Sequence, residues 1–204
     1  MPLDGNVADK VGTYSTSQKD RLDYVSGYYG QGADVKAGSI LTDFNPGTGS
    51  FSVSCWVKFT AKPDDPCIFS NKDWSKGTNK GFVLSYRGDD IKFNAGNGSS
   101  RNDFEFSLPQ DFMNGWMFLV FVVDRNAGTI GLSLDFSYIK TFQLTGALRS
   151  ATFNGLGGLV FGQDGTGYYA SLPAIMDEVA IYNKALTSAE IASLKEYYNA
   201  QRVY

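Results

Sequence analysis

The clearest pattern along the chain is Phe51-Ser-Val-Ser-Cys-Trp-Val-Lys-Phe59, where Phe51, Val53, Cys55, Val57 and Phe59 alternate with Ser52, Ser54, Trp56 and Lys58. A period of two sustained this long predicts a half-buried β-strand. Trp56 interrupts the polar side. It marks either a binding surface or a second layer lying over that side of the sheet. Shorter runs of the same kind cover residues 68–70, 81–86, 90–94 and 103–108. Residues 116–123 are apolar throughout, which suits a central strand covered on both faces. Asp124-Arg-Asn-Ala-Gly128 then reads as a hairpin turn into a strand over 129–134. Runs at 138–144, 158–161 and 174–182 complete the set. Strands at this spacing, separated by Gly, Asn and Asp clusters, predict an all-β sandwich rather than alternating α and β.

One helix interrupts the pattern near the C-terminus. Thr187-Ser-Ala-Glu190 is a capping box, in which the N-cap hydroxyl and the Glu carboxylate each bond the other's backbone amide. Ile191, Leu194 and Tyr198 follow at helical spacing and predict docking on the sandwich by that stripe. Residues 1–50 are the least periodic; Asp20 to Asp34, with Tyr24, Tyr28 and Tyr29 among glycines, read as extended segments and turns wrapped onto the body. With no repeat, low-complexity tract or linker, residues 1–204 are expected to form a single domain.

Composition narrows the chemistry. The 204 residues include no histidine, which excludes Ser–His–Asp triads, Cys–His dyads, histidine-bearing zinc sites and the two-histidine iron site. Any metal must be held by oxygen, which points to calcium. The 18 basic and 21 acidic residues give a net charge of −3, and no basic stripe of the kind nucleic acid needs is visible. Of the acids only Glu105, Glu178, Glu190 and Glu196 are glutamates; the aspartate bias fits loops as well as metal ligands. No run approaches the length of apolar chain that crosses a bilayer. The start, Met1-Pro2-Leu3-Asp4, has no signal-peptide character, as expected of a domain excised from a longer exported protein or of a cytosolic chain. Cys55 and Cys67 flank Thr60-Ala-Lys-Pro-Asp-Asp-Pro66. If that segment turns a hairpin the two face each other, leaving open a disulfide or two buried, reduced thiols.

Several segments together resemble the laminin-G-like, concanavalin A-like jelly rolls of the lectin–glucanase superfamily, in their bacterial branch. Met176-Asp-Glu-Val-Ala-Ile-Tyr-Asn-Lys-Ala-Leu-Thr-Ser-Ala-Glu-Ile191 resembles the family's closing strand and helix, and Gly49-Ser-Phe-Ser-Val-Ser-Cys-Trp-Val57 its Trp-Val strand. Gly30-Gln-Gly-Ala33, Ser70-Asn-Lys-Asp-Trp74 with Asn79-Lys-Gly-Phe82, and Gly162-Gln-Asp-Gly-Thr-Gly-Tyr168 follow in the family's order. The family's Trp-His-His-Val strand appears as Gly115-Trp-Met-Phe-Leu-Val120. Its Tyr-Val-Asp-Gly hairpin appears as Leu132-Ser-Leu-Asp-Phe136, so that hairpin is expected to be altered. The resemblance implies a two-sheet antiparallel jelly-roll sandwich with one short C-terminal helix. It also implies a structural calcium, with Asp177 as the candidate carboxylate and Asp34 beside it.

For function, the loops carry the sharper signals. Sugar-binding modules stack pyranose rings on aromatic side chains and bond hydroxyls with Asn, Asp, Lys and Arg. Asn71, Lys72, Asp73 and Trp74 form one candidate cluster, Asp164, Tyr168 and Tyr169 a second, and Tyr86 and Arg87 a third. The same residues also serve simply to fix their loops, with Asp73 bonding amides and Trp74 capping the core. The expected function is a non-catalytic, carbohydrate-binding accessory module of a larger exported bacterial protein, secreted or at the cell surface, with a glycan as partner. A protein-interaction or spacer domain attached to a hydrolase or adhesin is the alternative. Weaker still is a glycoside-active enzyme: no Glu-x-Asp-x-x-Glu spacing occurs, leaving only Asp103 and Glu105, two apart on one strand face.

Overall fold

The computed structural model describes every residue except 63, 111 and 202–204, and the side chains of 138 and 139. Among the described residues, fourteen strands and one α-helix run in the order β1 (Thr16–Asp20), β2 (Asp23–Ser26), β3 (Gln31–Asp34), β4 (Gly38–Thr42), β5 (Phe51–Phe59), β6 (Asp64–Ser70) and β7 (Gly81–Arg87). There follow β8 (Asp90–Gly96), β9 (Arg101–Ser107), β10 (Met117–Asp124), β11 (Thr129–Leu134), β12 (Ser137–Gln143), β13 (Val160–Phe161), β14 (Ala174–Tyr182) and α1 (Ser188–Gln201). They form two antiparallel seven-stranded sheets, ordered β1-β4-β13-β6-β7-β8-β9 and β12-β11-β10-β5-β14-β3-β2. This is the expected jelly-roll sandwich. The strands expected between residues 51 and 182 are all present. In the first 50 residues, four short strands stand where periodicity predicted only wrapped segments.

The inward face of β5 supplies Phe51, Val53, Cys55, Val57 and Phe59 to a core shared with Phe82, Leu84 and Tyr86 of β7 and Leu119, Phe121 and Val123 of β10. The opposite side of the same strands carries a second apolar layer. Trp56, Phe118, Val120 and Val122 meet Leu186, Ile191 and Tyr198, with Leu194 packed at the edge. So β10 is buried on both faces, and Trp56 lies under a second layer rather than on a binding surface. The capping box forms as expected: Glu190 N donates to Thr187 Oγ1 at 3.2 Å and Thr187 N to Glu190 Oε2 at 2.9 Å.

The Asp-Glu-Val run is a β-bulge. The β14–β5 register shifts between Asp177 and Ala180, and Glu178 sits at φ +49°. Asp177 is buried, and its Oδ2 accepts the amides of Tyr28 (2.9 Å) and Tyr29 (3.0 Å) in the turn between β2 and β3. A Cβ on Gly27 would lie 2.7 Å from that oxygen, so only glycine lets this turn approach. The turn then delivers Tyr28 onto Trp56 (stacked, centroids 3.5 Å apart) and Tyr29 onto Tyr198. One carboxylate thus joins the N-terminal hairpin to the helix layer.

One open alternative is resolved and one expectation changes. Cys55 and Cys67 are both buried and free, because β5 and β6 belong to opposite sheets rather than to one hairpin; Pro63, within the expected turn, lies outside the described residues. The hairpin at Asp135-Phe136 remains a two-residue turn without glycine. Both residues take positive φ (46° and 69°), and Phe136 offsets that cost by stacking on Phe118 at 4.6 Å.

Candidate functional site

With α1 sealing the outer side of one sheet, the outward side of the other carries the polar groups. Cross-strand register sets them in rows. Cys67, Ser85, Lys92 and Glu105 form one; Val83, Asn94 and Asp103 form the next; Asp64, Arg87, Asp90 and Ser107 lie along the far side. Alternation alone places these residues, since Ile91, Phe93 and Ala95 of β8 point into the core between Asp90, Lys92 and Asn94. Sequence reasoning missed Ser85, Asn94, Lys92 and Arg101, although the period-two pattern of β8 and β9 carried the signal.

Two loops close over one end of this face. The first, residues 71–80, is braced by its buried members. Asn71 donates to Phe153 O (2.8 Å) and accepts from Phe82 N (2.9 Å). Lys72 is fully buried; its ammonium donates to Gly77 O at 2.8 Å and to Asn94 Oδ1. Burial lowers its pKa to about 8 against the pull of Asp103 and Asp73. The second loop, residues 163–169, is tied to the first by Asp164, whose carboxylate accepts the amides of Trp74 (3.2 Å), Gly167 (2.8 Å) and Tyr168 (3.2 Å) and the hydroxyl of Thr166. Gly165 N also donates to Lys72 O at 2.8 Å. The two aromatic loops read separately in the sequence are therefore one unit. Trp74 is half-buried, with its ring 5.6 Å from the Lys72 ammonium, and Tyr168 is 92% exposed.

The candidate residues divide accordingly. Trp74, Tyr168, Tyr169 and Arg87 retain accessible surface. Asp73 caps its own turn through Ser75 N at 2.8 Å, and the Ser75 hydroxyl and amide together hold its carboxyl below the usual range. Asn71, Lys72 and Asp164 are buried braces. Tyr86 is wholly inside the core, because it alternates with the outward Ser85 and Arg87. Burial raises its phenol pKa.

Asp103 and Glu105 share the outward face, but each is already engaged. Asp103 pairs with Arg101 Nε at 2.9 Å and accepts from Asn94 at 2.9 Å. Glu105 pairs with Lys92, and that bond draws its pKa down. A glycosidase acid needs a carboxyl held protonated, the opposite arrangement.

The calcium expectation meets a different donor set. Asp177 Oδ1 accepts Glu178 N at 2.8 Å, so three amide hydrogens converge on this carboxylate where a cation would need oxygens. Asp34 pairs in register with Ile175 and caps Lys36 N at 3.0 Å instead. Among the described residues no group of three or more acidic or cysteine side chains converges. The residues at Asp177 and Asp34 do not fit calcium. Burial instead pushes Asp177 up to about 7, against the three amides.

Comparison with known proteins places this architecture. The binding domain of Paraclostridial Mosquitocidal Protein 1 superposes with a TM-score of 0.73 at 16% identity, over 95% of this chain and 49% of that one. The binding domain of botulinum neurotoxin DC, in complex with rat synaptotagmin II, gives 0.72 at 17%, over 93% and 48%. A structure of botulinum neurotoxin type C, described by its interaction with two ganglioside molecules, gives 0.70 at 16%, over 93% and 48%. The chain thus spans about half the length of these structures, and identities this low establish the fold alone. A search of curated proteins returned no match. The laminin G 3 family model, described as the concanavalin A-like lectin/glucanases superfamily, matches residues 29–192. With four-fifths of its length covered in this way, the chain belongs to that superfamily as a laminin-G-type domain.

Proposed function

We propose that the domain is a non-catalytic glycan-binding module of a larger exported bacterial protein, and that sugar lies on the outward face of β6–β9 beneath the Trp74 and Tyr168 loops. The observation that carries this reading is the asymmetry of the two sheets. One outer face is sealed by α1; the other is a polar, hydrogen-bonding surface with aromatic rings braced at its end. Rigidly held loops on a sandwich are where binding residues concentrate. Arg87, Glu105 and Asp103 supply exposed donors and acceptors for hydroxyls, and Trp74, Tyr168 and Tyr169 supply ring faces. Catalysis is disfavoured by the ion pairing of Asp103 and Glu105. One structural neighbour is named as a binding domain in complex with a protein and another is described by its interaction with gangliosides, which is consistent with recognition rather than cleavage.

A glycan array probed with the wild-type domain and with Trp74→Ala tests the site. Trp74→Ala is expected to lose retention while keeping the wild-type circular dichroism; a wild-type domain that binds no glycan ends this reading. A second reading, a protein partner, has its own observation. An apolar hollow of about 430 Å³ opens between the N-terminal segment and β14, lined by Met1, Tyr14, Ile181 and Tyr182, with Val11 85% exposed at its rim. A Val11→Asp change is expected to abolish any such partner and leave glycan retention untouched.

A further inference from the structure

The charge distribution on the proposed sugar face narrows the ligand. Recognition of a sugar carboxylate or sulfate requires an Arg or Lys free to offer its hydrogens to the anion. Among the described residues, four cations lie on these strands and the buried end of the first loop; three hold partners and the fourth stands between aspartates. Lys92 is paired with Glu105, and Arg101 Nε sits 2.9 Å from Asp103. Lys72 is buried beneath its loop, with its ammonium on Gly77 O and Asn94 Oδ1. Arg87 stands in register between Asp64 on β6 and Asp90 on β8, a carboxylate on either side.

The surplus is negative. Asp65 accepts the hydroxyl of Ser85 (3.1 Å), while Asp73 and Asp164 hold backbone amides at the loop end. Burial raises the Tyr169 phenol pKa, and the charges of Asp65, Asp164 and Asp73 raise it further, so their field reaches the ring on which a sugar would stack. The remaining cations stand around the loop end rather than on the strands. Lys80 lies along Gly98 in the turn after β8, Lys76 stands in the exposed part of the first loop, and Lys19, beside Gly167, is followed by Asp20.

We infer that this face selects glycans lacking carboxylate and sulfate groups, and that its own ion pairs keep anionic glycans out. The inference rests on the reading of this face as the sugar site. An acidic sugar at the centre of the face must compete with Glu105 and Asp103 for Lys92 and Arg101, or approach Arg87 between Asp64 and Asp90. A neutral sugar needs only hydroxyl bonds, which the paired groups can still give and accept.

Affinity electrophoresis at low ionic strength tests this. The probes are laminarin, xylan and N-acetylated chito-oligosaccharide as neutral glycans, and polygalacturonate, heparin and sialyllactose conjugate as anionic ones. Retention by at least one neutral probe, lost in Trp74→Ala, and by no anionic probe is the expected result. Salt-sensitive retention by an anionic probe, also lost in Trp74→Ala, overturns the selectivity and leaves the site standing. Retention by no probe of either class overturns the site and the selectivity together. The double change Asp103→Asn, Glu105→Gln frees Arg101 and Lys92 with little change in shape. It is expected to raise retention by polygalacturonate about tenfold. No gain in a variant that still melts like the wild type would overturn the claim that the pairs exclude anions.

Discussion

Asp177 illustrates how much one side chain can be asked to hold. Removed from water, it is stabilised by three amides that tie the β2–β3 turn to the bulge of β14. Burial raises its folded pKa to about 7 from an ordinary value near 4, so the folded state keeps a proton that the unfolded chain has lost. The sign follows from linkage: this contribution is fully present below about pH 4 and is lost as pH rises to about 7, at up to ~1.4 kcal/mol per unit. Urea denaturation between pH 4 and 8 is expected to show that decline and a plateau above it, and Asp177→Asn is expected to flatten the profile. The same amide donors predict that calcium does not stabilise the fold. Melting in calcium and in chelator should coincide; a rise of several degrees with calcium would show a cation displacing amides. The cysteines give a second test at this scale. Burial pushes Cys55 up to about 12 and Cys67 well above its usual range, so neither should react with a disulfide reagent until the chain unfolds.

At the scale of elements, α1 and the paired loops do opposite work. The helix closes one sheet through Ile191, Leu194 and Tyr198, and its start depends on the reciprocal bonds of Thr187 and Glu190. Thr187→Ala is expected to cost about 1 kcal/mol in urea denaturation, the usual value of a lost N-cap. The loops at 71–80 and 163–169 leave the other sheet open while fixing rings beside it. Their junction is Gly165, where a Cβ would lie 2.9 Å from the Asn71 carbonyl carbon and from Lys72 N and O. Gly165→Ala is expected to pry the loops apart, weakening glycan retention more than thermal stability. Much of this scale was legible in sequence. The nine-residue alternation of β5, the apolar run of β10 and the capping box each have a local signature. The strands before residue 43 were not, because four or five residues with mixed burial carry too little period to register.

For the whole molecule, the sequence by itself determined the class of fold and the chemistry that is out of reach. Period-two runs need one buried face, the lack of histidine removes whole families of active site, and ordered motifs point to the laminin-G-type sandwich. Those conclusions depend on residue type and near neighbours, which the linear chain displays directly. Only the tertiary structure decided which candidates stay exposed and which are buried. Asn71, Lys72 and Asp164 are the polar residues a sugar site would use, yet Asn71 and Asp164 are taken up by backbone groups more than eighty residues away, and Lys72 by Gly77 O and the Asn94 side chain. Tyr86 and Arg87 are neighbours in sequence, but the pleat sends one into the core and the other outward. Cys55 and Cys67, twelve apart, lie in opposite sheets because β5 and β6 are joined across the sandwich rather than by a hairpin. Partner, burial and face are long-range properties: they are set by which strand lies alongside which, and no local pattern records that.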